Sequence, residues 1–302
     1  MTWGLYIAIY LFCAGAGAGA FLAAVTAEIY SKEAFKPLIR AGYLISGPLV
    51  ALGTPFLMLD LGMGLREPLR LLGLLNNPGS VMSIGTVVLS LFMPVAFLFG
   101  VMELGWHWPL KFINVILKFI ARFRTVLLYV GTILAFSTAI YTGMLIGVVK
   151  GVPLWNTPVL PALFFISALS SGLAAAVVFA VLFPSEDRRL MAEHFFSLNQ
   201  VHSLMVVVEL VFVFSWLFIM AGLSVSSGQS VSMLLTGDLA FWFWFGVVFL
   251  GIIDPLTIYV YEVILHKPLV GYAMFISDAS VLVGGFSLRY LVLAAAIPPL
   301  LY

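Results

Sequence analysis

Several side chains with redox and proton chemistry recur at the edges of long apolar runs in this sequence. Tyr6, Tyr10, Asp60, Tyr141, Trp155 and Asn156 all fall at or just beyond such edges. Phenols and an amide can donate hydrogen bonds to a carbonyl, a carboxylate can exchange protons, and aromatic rings can wall a flat ring. A quinone head group needs that combination. Tyr and Trp also collect at membrane interfaces for solvation alone, and that reading suits Tyr6 and Trp155. Asp60 is different, because it stands between Leu59 and Leu61 at the end of an apolar run.

A second set lies deeper. Glu209, Asp254 and Arg289 stand inside apolar runs, where an ionisable group costs about 3 kcal/mol or more and is therefore paired or functional. They form either a structural ion-pair cluster or a proton path, in which Glu209 and Asp254 pass protons while Arg289 adjusts their acidity. Glu28, Glu103 and Glu262 fall near the opposite ends of their runs and are expected to be solvated, in reach of entering protons. The four histidines, His107, His194, His202 and His266, map to connections or run ends. No two of them face each other at depth, as a bis-histidine haem requires, so each is read as an interfacial or partner-contact residue. Cys13 is the only cysteine, so this chain supplies no Cys-ligated Fe–S cluster and no metal site is expected.

The elements that must position these groups follow from composition. Hydrophobic residues make up 63% and charged residues 9%, and the mean hydropathy is +1.16. That leaves too little polar surface for a water-soluble globule of this length. The net charge of +1 gives no general attraction to nucleic acid. Spanning a bilayer takes roughly 17–25 apolar residues. Eight runs qualify, near Trp3–Val25, Ala41–Leu61, Val81–Leu104, Val126–Val149, Val159–Phe183, Val201–Leu223, Leu239–Val263 and Asp278–Leu301. The fold class is therefore an all-α integral membrane protein with eight transmembrane helices. It is read as a single membrane domain of two four-helix halves, 1–149 and 150–302. The first run precedes any charge, Glu28 being the first, and is read as a retained helix.

Lys and Arg orient the runs. Connections after helices one, three, five and seven carry ten of them, including Lys32, Arg40, Lys118, Arg124 and Arg189, against three on the other side, Arg66, Arg70 and Lys150. The basic side faces the cytoplasm and both termini face outward. The segment Trp106–Arg124 has Lys111, Asn114, Lys118 and Arg122 on one helical face and is expected to lie along the inner surface. Helix one holds Ala14-Gly15-Ala16-Gly17-Ala18-Gly19-Ala20, small on every face, which suits close helix packing. Helix five repeats the texture as Ser167-Ala168-Leu169-Ser170-Ser171-Gly172, consistent with a parallel repeat.

In order and spacing the sequence resembles the NrfD-like family, the membrane subunits of polysulfide reductase and formate-dependent nitrite reductase. The resembling residues are Trp3-Gly4, Tyr10-Leu11-Phe12 and the glycine-rich helix, Leu59-Asp60-Leu61-Gly62 with Arg70, Asn77-Pro78, Ser80 and Met82-Ser83, Tyr141-Thr142-Gly143, and Pro153-Leu154-Trp155-Asn156-Thr157 leading to Ser170-Ser171-Gly172. The resemblance implies eight helices in two bundles, no haem or Fe–S cluster in this chain, and a menaquinone or ubiquinone site near the outer surface. It also implies a ferredoxin-like Fe–S partner, a molybdopterin or multihaem catalytic subunit, and residence in a prokaryotic inner membrane. By motif, Tyr10, Asp60 and Tyr141 become the quinone-site residues, with Trp155 and Asn156 beside them. This sequence departs from the pattern in the longer Leu61–Arg70 run and in carrying Tyr10 where some members have histidine.

Two other functions fit the residues. A secondary transporter or proton channel would use the Glu209, Asp254 and Arg289 cluster, with Gly53-Thr54-Pro55 as a broken helix. A passive anchor would assemble normally and bind no quinone.

Overall fold

The computed structural model describes residues 4–60, 77, 79–104, 119–182, 188–265 and 272–298, with side chains from 198 and 274 onward in the last two stretches. The expected surface segment 106–118, the Leu61–Arg70 run, His107 and His266, and the side chain of His194 lie outside the described residues.

Helices α1 (Leu5–Ser31), α2 (Lys36–Asp60), α3 (Val81–Leu104), α4 (Arg124–Gly147), α5 (Val159–Leu182) and α6 (Arg188–Leu223) follow in order. A short α7 (Val225–Leu235) leads to α8 (Ala240–Leu265), and α9 (Tyr272–Ala294) is the last described helix. Eight of these are long and apolar enough to cross a membrane, with Leu198–Leu223 as the apolar part of α6. The protein is thus an all-α, multi-pass membrane protein. Each expected run lies on one of these helices, but some ends move: α1 extends to Ser31 and so includes Glu28, and α9 begins at Tyr272 and ends at Ala294.

Helix α1 is the hub, buried along most of its length and packed on α2, α4, α5 and α9. Small residues make this possible. A Cβ at Gly17 would stand 2.8 Å from Val50, one at Gly42 would stand 2.7 Å from the Ala20 carbonyl, and one at Gly53 would stand 3.2 Å from the Tyr10 carbonyl, so α2 runs antiparallel to α1. Gly15 and Gly19 instead meet Ala168 and Gly172 with increasing number, so α5 runs parallel to α1. At the Gly19–Gly172 crossing the two backbones touch, and a side chain on either glycine would overlap the other helix. We call the end where α1 starts and α2 stops the near end, and the opposite one the far end.

Phe21 of α1 is ringed edge-on by Tyr43, Phe92 and Phe99, with centroids 5.2, 5.5 and 5.3 Å away. Helix α2 continues unbroken through Pro48 and Pro55, so Gly53-Thr54-Pro55 is not a break. Helix α7 is an addition to the expected runs; it opens on a reciprocal capping box between Ser224 and Ser227. Within α8, residues Phe243–Ile253 adopt π-helical geometry, and Gly246 and Gly251 rest on Ser287 and Gly284 of α9.

Candidate functional site

At the near end, Tyr10 of α1 and Tyr141 of α4 turn toward each other in the core. Tyr141 lies flat against Gly85 of α3, where any side chain would overlap its ring. Both phenols are buried; each hydroxyl has the other as its polar neighbour, and neither has a partner within hydrogen-bonding distance. Two orphaned donors in one place are costly, about 1–3 kcal/mol each, and mark a position suited to an acceptor.

Asp60 is not joined to this pair. It ends α2, half-exposed, and lies seven residues beyond Gly53, which packs on Tyr10, so it stands about 10 Å further along the helix toward the near surface. Tyr6 and Phe56 fill the level between them, ring centroids 6.2 Å apart. Trp155 is buried, and its indole N–H donates to the Val292 carbonyl of α9 at 2.7 Å, while Trp216 donates to the Leu154 carbonyl at 3.3 Å. These bonds hold the α4–α5 connection onto the second half of the protein. Asn156 next to it is exposed. Two clefts, of about 520 and 420 Å³, open in the far half, and neither is lined by Tyr10, Asp60 or Tyr141.

The deep charged set also divides. The Arg289 guanidinium is fully buried; its Nη1 donates to the Ser167 hydroxyl at 3.1 Å and to the Gly285 carbonyl at 2.7 Å. Phe12 and Phe164 present ring faces to it at 5.6 and 5.5 Å. Glu209 is buried beside Ser167, with Arg289 and His202 as neighbours. Asp254 is bonded elsewhere, its Oδ2 accepting from Ser280 of α9 at 2.6 Å.

Three expectations are corrected here. His202 is not interfacial but buried, its Nδ1 3.2 Å from Asp278 and its Nε2 3.3 Å from the Ser170 hydroxyl. Glu262 is not solvated but fully buried, accepting from Asn199 at 2.7 Å. Glu28 is not solvated either: it accepts two hydrogen bonds from Arg124, at 2.5 and 2.9 Å, and one from Tyr43 at 2.8 Å. Glu103 joins the same knot, 3.6 Å from Arg124, so the far ends of α1, α2, α3 and α4 share one ionic clamp.

Polar groups therefore form a file through the apolar core: Glu262 and Asn199, then His202, Asp278 and Ser170, then Ser171 and Ser167 with Glu209 and Arg289. Sequence reasoning misses Asp278 and the burial of the histidine because each lies near the start of a run. Their partnership spans α6 and α9, which local spacing does not encode. The Ser167-x-x-Ser170-Ser171 pattern is visible in sequence and is the ladder that links them. No group of three or more His, Cys, Asp or Glu able to hold a metal occurs among the described residues.

Comparison with known proteins covers nearly the whole sequence. The family described as "Polysulphide reductase, NrfD" matches residues 1–298. The C subunit of polysulfide reductase from Wolinella succinogenes is 30% identical over 98% of this chain and 94% of its own length. "Protein NrfD" of Escherichia coli and "Protein NrfD homolog" of Haemophilus influenzae are each 28% identical over 98% of this chain, and over 95% and 94% of theirs. With a match of that extent, spanning all eight of its long apolar helices, the protein belongs to the polysulphide reductase NrfD family.

Proposed function

We propose that this protein is the quinone-reactive membrane subunit of a multi-subunit respiratory oxidoreductase in a prokaryotic inner membrane, with its near end outside. Electrons pass to or from a ferredoxin-like Fe–S partner docked at that end, and a molybdopterin or multihaem subunit completes the enzyme. The observation that carries the reading is the orphaned phenol pair Tyr10–Tyr141, in a protein related along its length to a subunit of polysulfide reductase. A menaquinone or ubiquinone suits the residues present, because two buried hydroxyl donors without partners match the acceptor oxygens of its head group. Such a group supplies two-electron, two-proton chemistry when bound.

The protein's own part is to bind, orient and move protons. Tyr10 and Tyr141 hold the head group by donated hydrogen bonds. Asp60, half-exposed at the surface, exchanges protons with the outer solvent. Access runs from the near end past Tyr6, which is half-exposed and tilted against Phe56, so that ring must yield on binding. Trp155 and Asn156 border the region, Trp155 through its hold on the connection rather than through a free indole N–H. The buried Glu209 and Arg289, with Asp254 on a neighbouring branch, belong to a proton route from the far side.

Quinone-linked turnover of the intact complex tests this. Tyr141→Phe removes an unbonded hydroxyl, so assembly should be unchanged while turnover falls by about 100-fold; Asp60→Asn should slow it about tenfold or more. Full turnover in both variants would remove the proposal.

A further inference from the structure

Arg40 stands at the mouth of an apolar cleft at the far end. It lies one turn inside α2, is exposed, and pairs with no carboxylate among the described residues. Glu28 and Glu103, two acids of the same end, are already held by Arg124. Lys36 is exposed one turn before Arg40 on the same face and adds a second positive charge there. From Arg40 the cleft, about 520 Å³, descends along α2 past Leu44, Pro48 and Leu52, and is closed by Leu104 at the end of α3 and Phe179 near the end of α5. The four α2 positions recur every fourth residue, so they form one continuous stripe on a single face. The volume falls within the roughly 300–1,000 Å³ of pockets that bury a small ligand.

The length of the stripe selects the occupant. From Arg40 to Leu52 the helix rises about 18 Å, and half the hydrocarbon core of a bilayer is about 15 Å. The cleft therefore reaches from one surface to the midplane and stops there, since the described residues of α2 past Leu52 do not line it. A spanning helix of another subunit would need a groove through the full core, about 30 Å. A molecule confined to one leaflet fits instead, with an apolar chain on the stripe and a negative group at Arg40. The second cleft in the far half, about 420 Å³ between α1, α5 and α6, differs at this point: its described lining has Tyr30, Thr26 and Gln200 as polar residues and no charged one. Any acyl chain satisfies that cleft, whereas the one on α2 selects by charge.

We propose that the α2 cleft holds one anionic phospholipid of the far leaflet, an acyl chain lying on Leu44, Pro48 and Leu52 and the phosphate meeting Arg40. A guanidinium offers two parallel N–H donors to phosphate oxygens, and basic side chains at the edge of a membrane helix favour anionic head groups over neutral ones. A zwitterionic phospholipid has the same chains and the same phosphate, but its own ammonium group offsets the charge that Arg40 and Lys36 would attract. Helices α3 and α5 both pack on α2, so a chain seated between Leu104 and Phe179 also ties their far ends together.

This site rests on the proposed function only for naming the far leaflet cytoplasmic, and its test needs no turnover. The protein is purified in mild detergent with whatever subunits accompany it, bound lipid is counted by native mass spectrometry, and the stripped sample is titrated with phosphatidylglycerol or phosphatidylcholine. Phosphatidylglycerol should bind about tenfold more tightly, and Arg40→Gln, a change at an exposed position, should cut that preference about fivefold. Leu44→Trp, which fills the cleft, should lower the number of lipids bound at saturation by one; if it does not assemble, Arg40→Gln decides alone. Equal affinity for the two lipids, a preference that survives intact in Arg40→Gln, or co-purified quinone whose amount falls in Leu44→Trp overturns the proposal. Absent quinone-linked turnover in the wild type would strike the proposed function alone, since the lipid is counted without it.

Discussion

Replacing Trp155 by Phe separates two roles that the residue could play. Its indole N–H meets the Val292 carbonyl at 2.7 Å, inside a buried connection that also accepts from Trp216 through Leu154. Phenylalanine keeps a ring but leaves a buried carbonyl without its donor, which costs about 1–3 kcal/mol. The smaller ring leaves a void worth about 1–2 kcal/mol more. The sum, about 2–5 kcal/mol, corresponds to a fall in the unfolding midpoint of roughly 3–8 °C for a chain of this size. Cys13 provides the assay: it is the only cysteine and partly buried in α1, so a thiol-reactive dye in mild detergent reports when the bundle opens. Trp216→Phe should have a smaller effect because its bond is longer, and the two changes should not add, because both tether one connection. If Trp155→Phe melts with the wild type while the apparent KM for quinone rises, the residue is a wall of the binding site and the locking argument is wrong.

Two further outcomes follow from packing at the far end and mid-helix. Arg124→Met leaves Glu28 with only the exposed Lys32 as its cation, and should destabilise the first four helices by about 1–3 kcal/mol, read as a lower melting midpoint. Placing Lys at that position should recover only part, because the two-pronged contact is lost. Gly172→Ala drives a methyl into the α1 backbone at Gly19 and should cost about 1–3 kcal/mol or prevent assembly, seen as loss of folded protein on size-exclusion chromatography.

The spans are legible because hydrocarbon imposes one demand on every stretch that crosses it, and Val81–Leu104 matches its run to the residue. Ends with mixed polarity are less so. Glu28 reads as the boundary of α1, yet Arg124, 96 residues away, neutralises it and lets the helix run on to Ser31. Helix α7 is rich in serine, Val225-Ser226-Ser227-Gly228, and the face it buries, Ser227, Ser230, Val231 and Leu234, is half polar and too short to announce it. Of the site, the phenols Tyr10 and Tyr141 are singled out in sequence and do come together, whereas Asp60 stands apart from them at the surface. The His202–Asp278 contact is invisible there because it depends on how α6 and α9 are rotated against each other, and neither periodicity nor composition reports a rotation. The π-helical stretch in α8 is equally unreadable, since Phe243–Ile253 is simply apolar in sequence.

The centrality of α1 has a consequence for how the protein is made. Its contacts with α5 and α9 are written far downstream in the sequence, yet it leaves the ribosome before either of them. Until those later helices arrive, the face of its Ala-Gly ridge that carries Gly15 and Gly19 sits against acyl chains, where small side chains gain little, while Gly17 is already covered by α2. Any pause or truncation in synthesis before Val159 leaves the face of α1 that α5 covers without its partner.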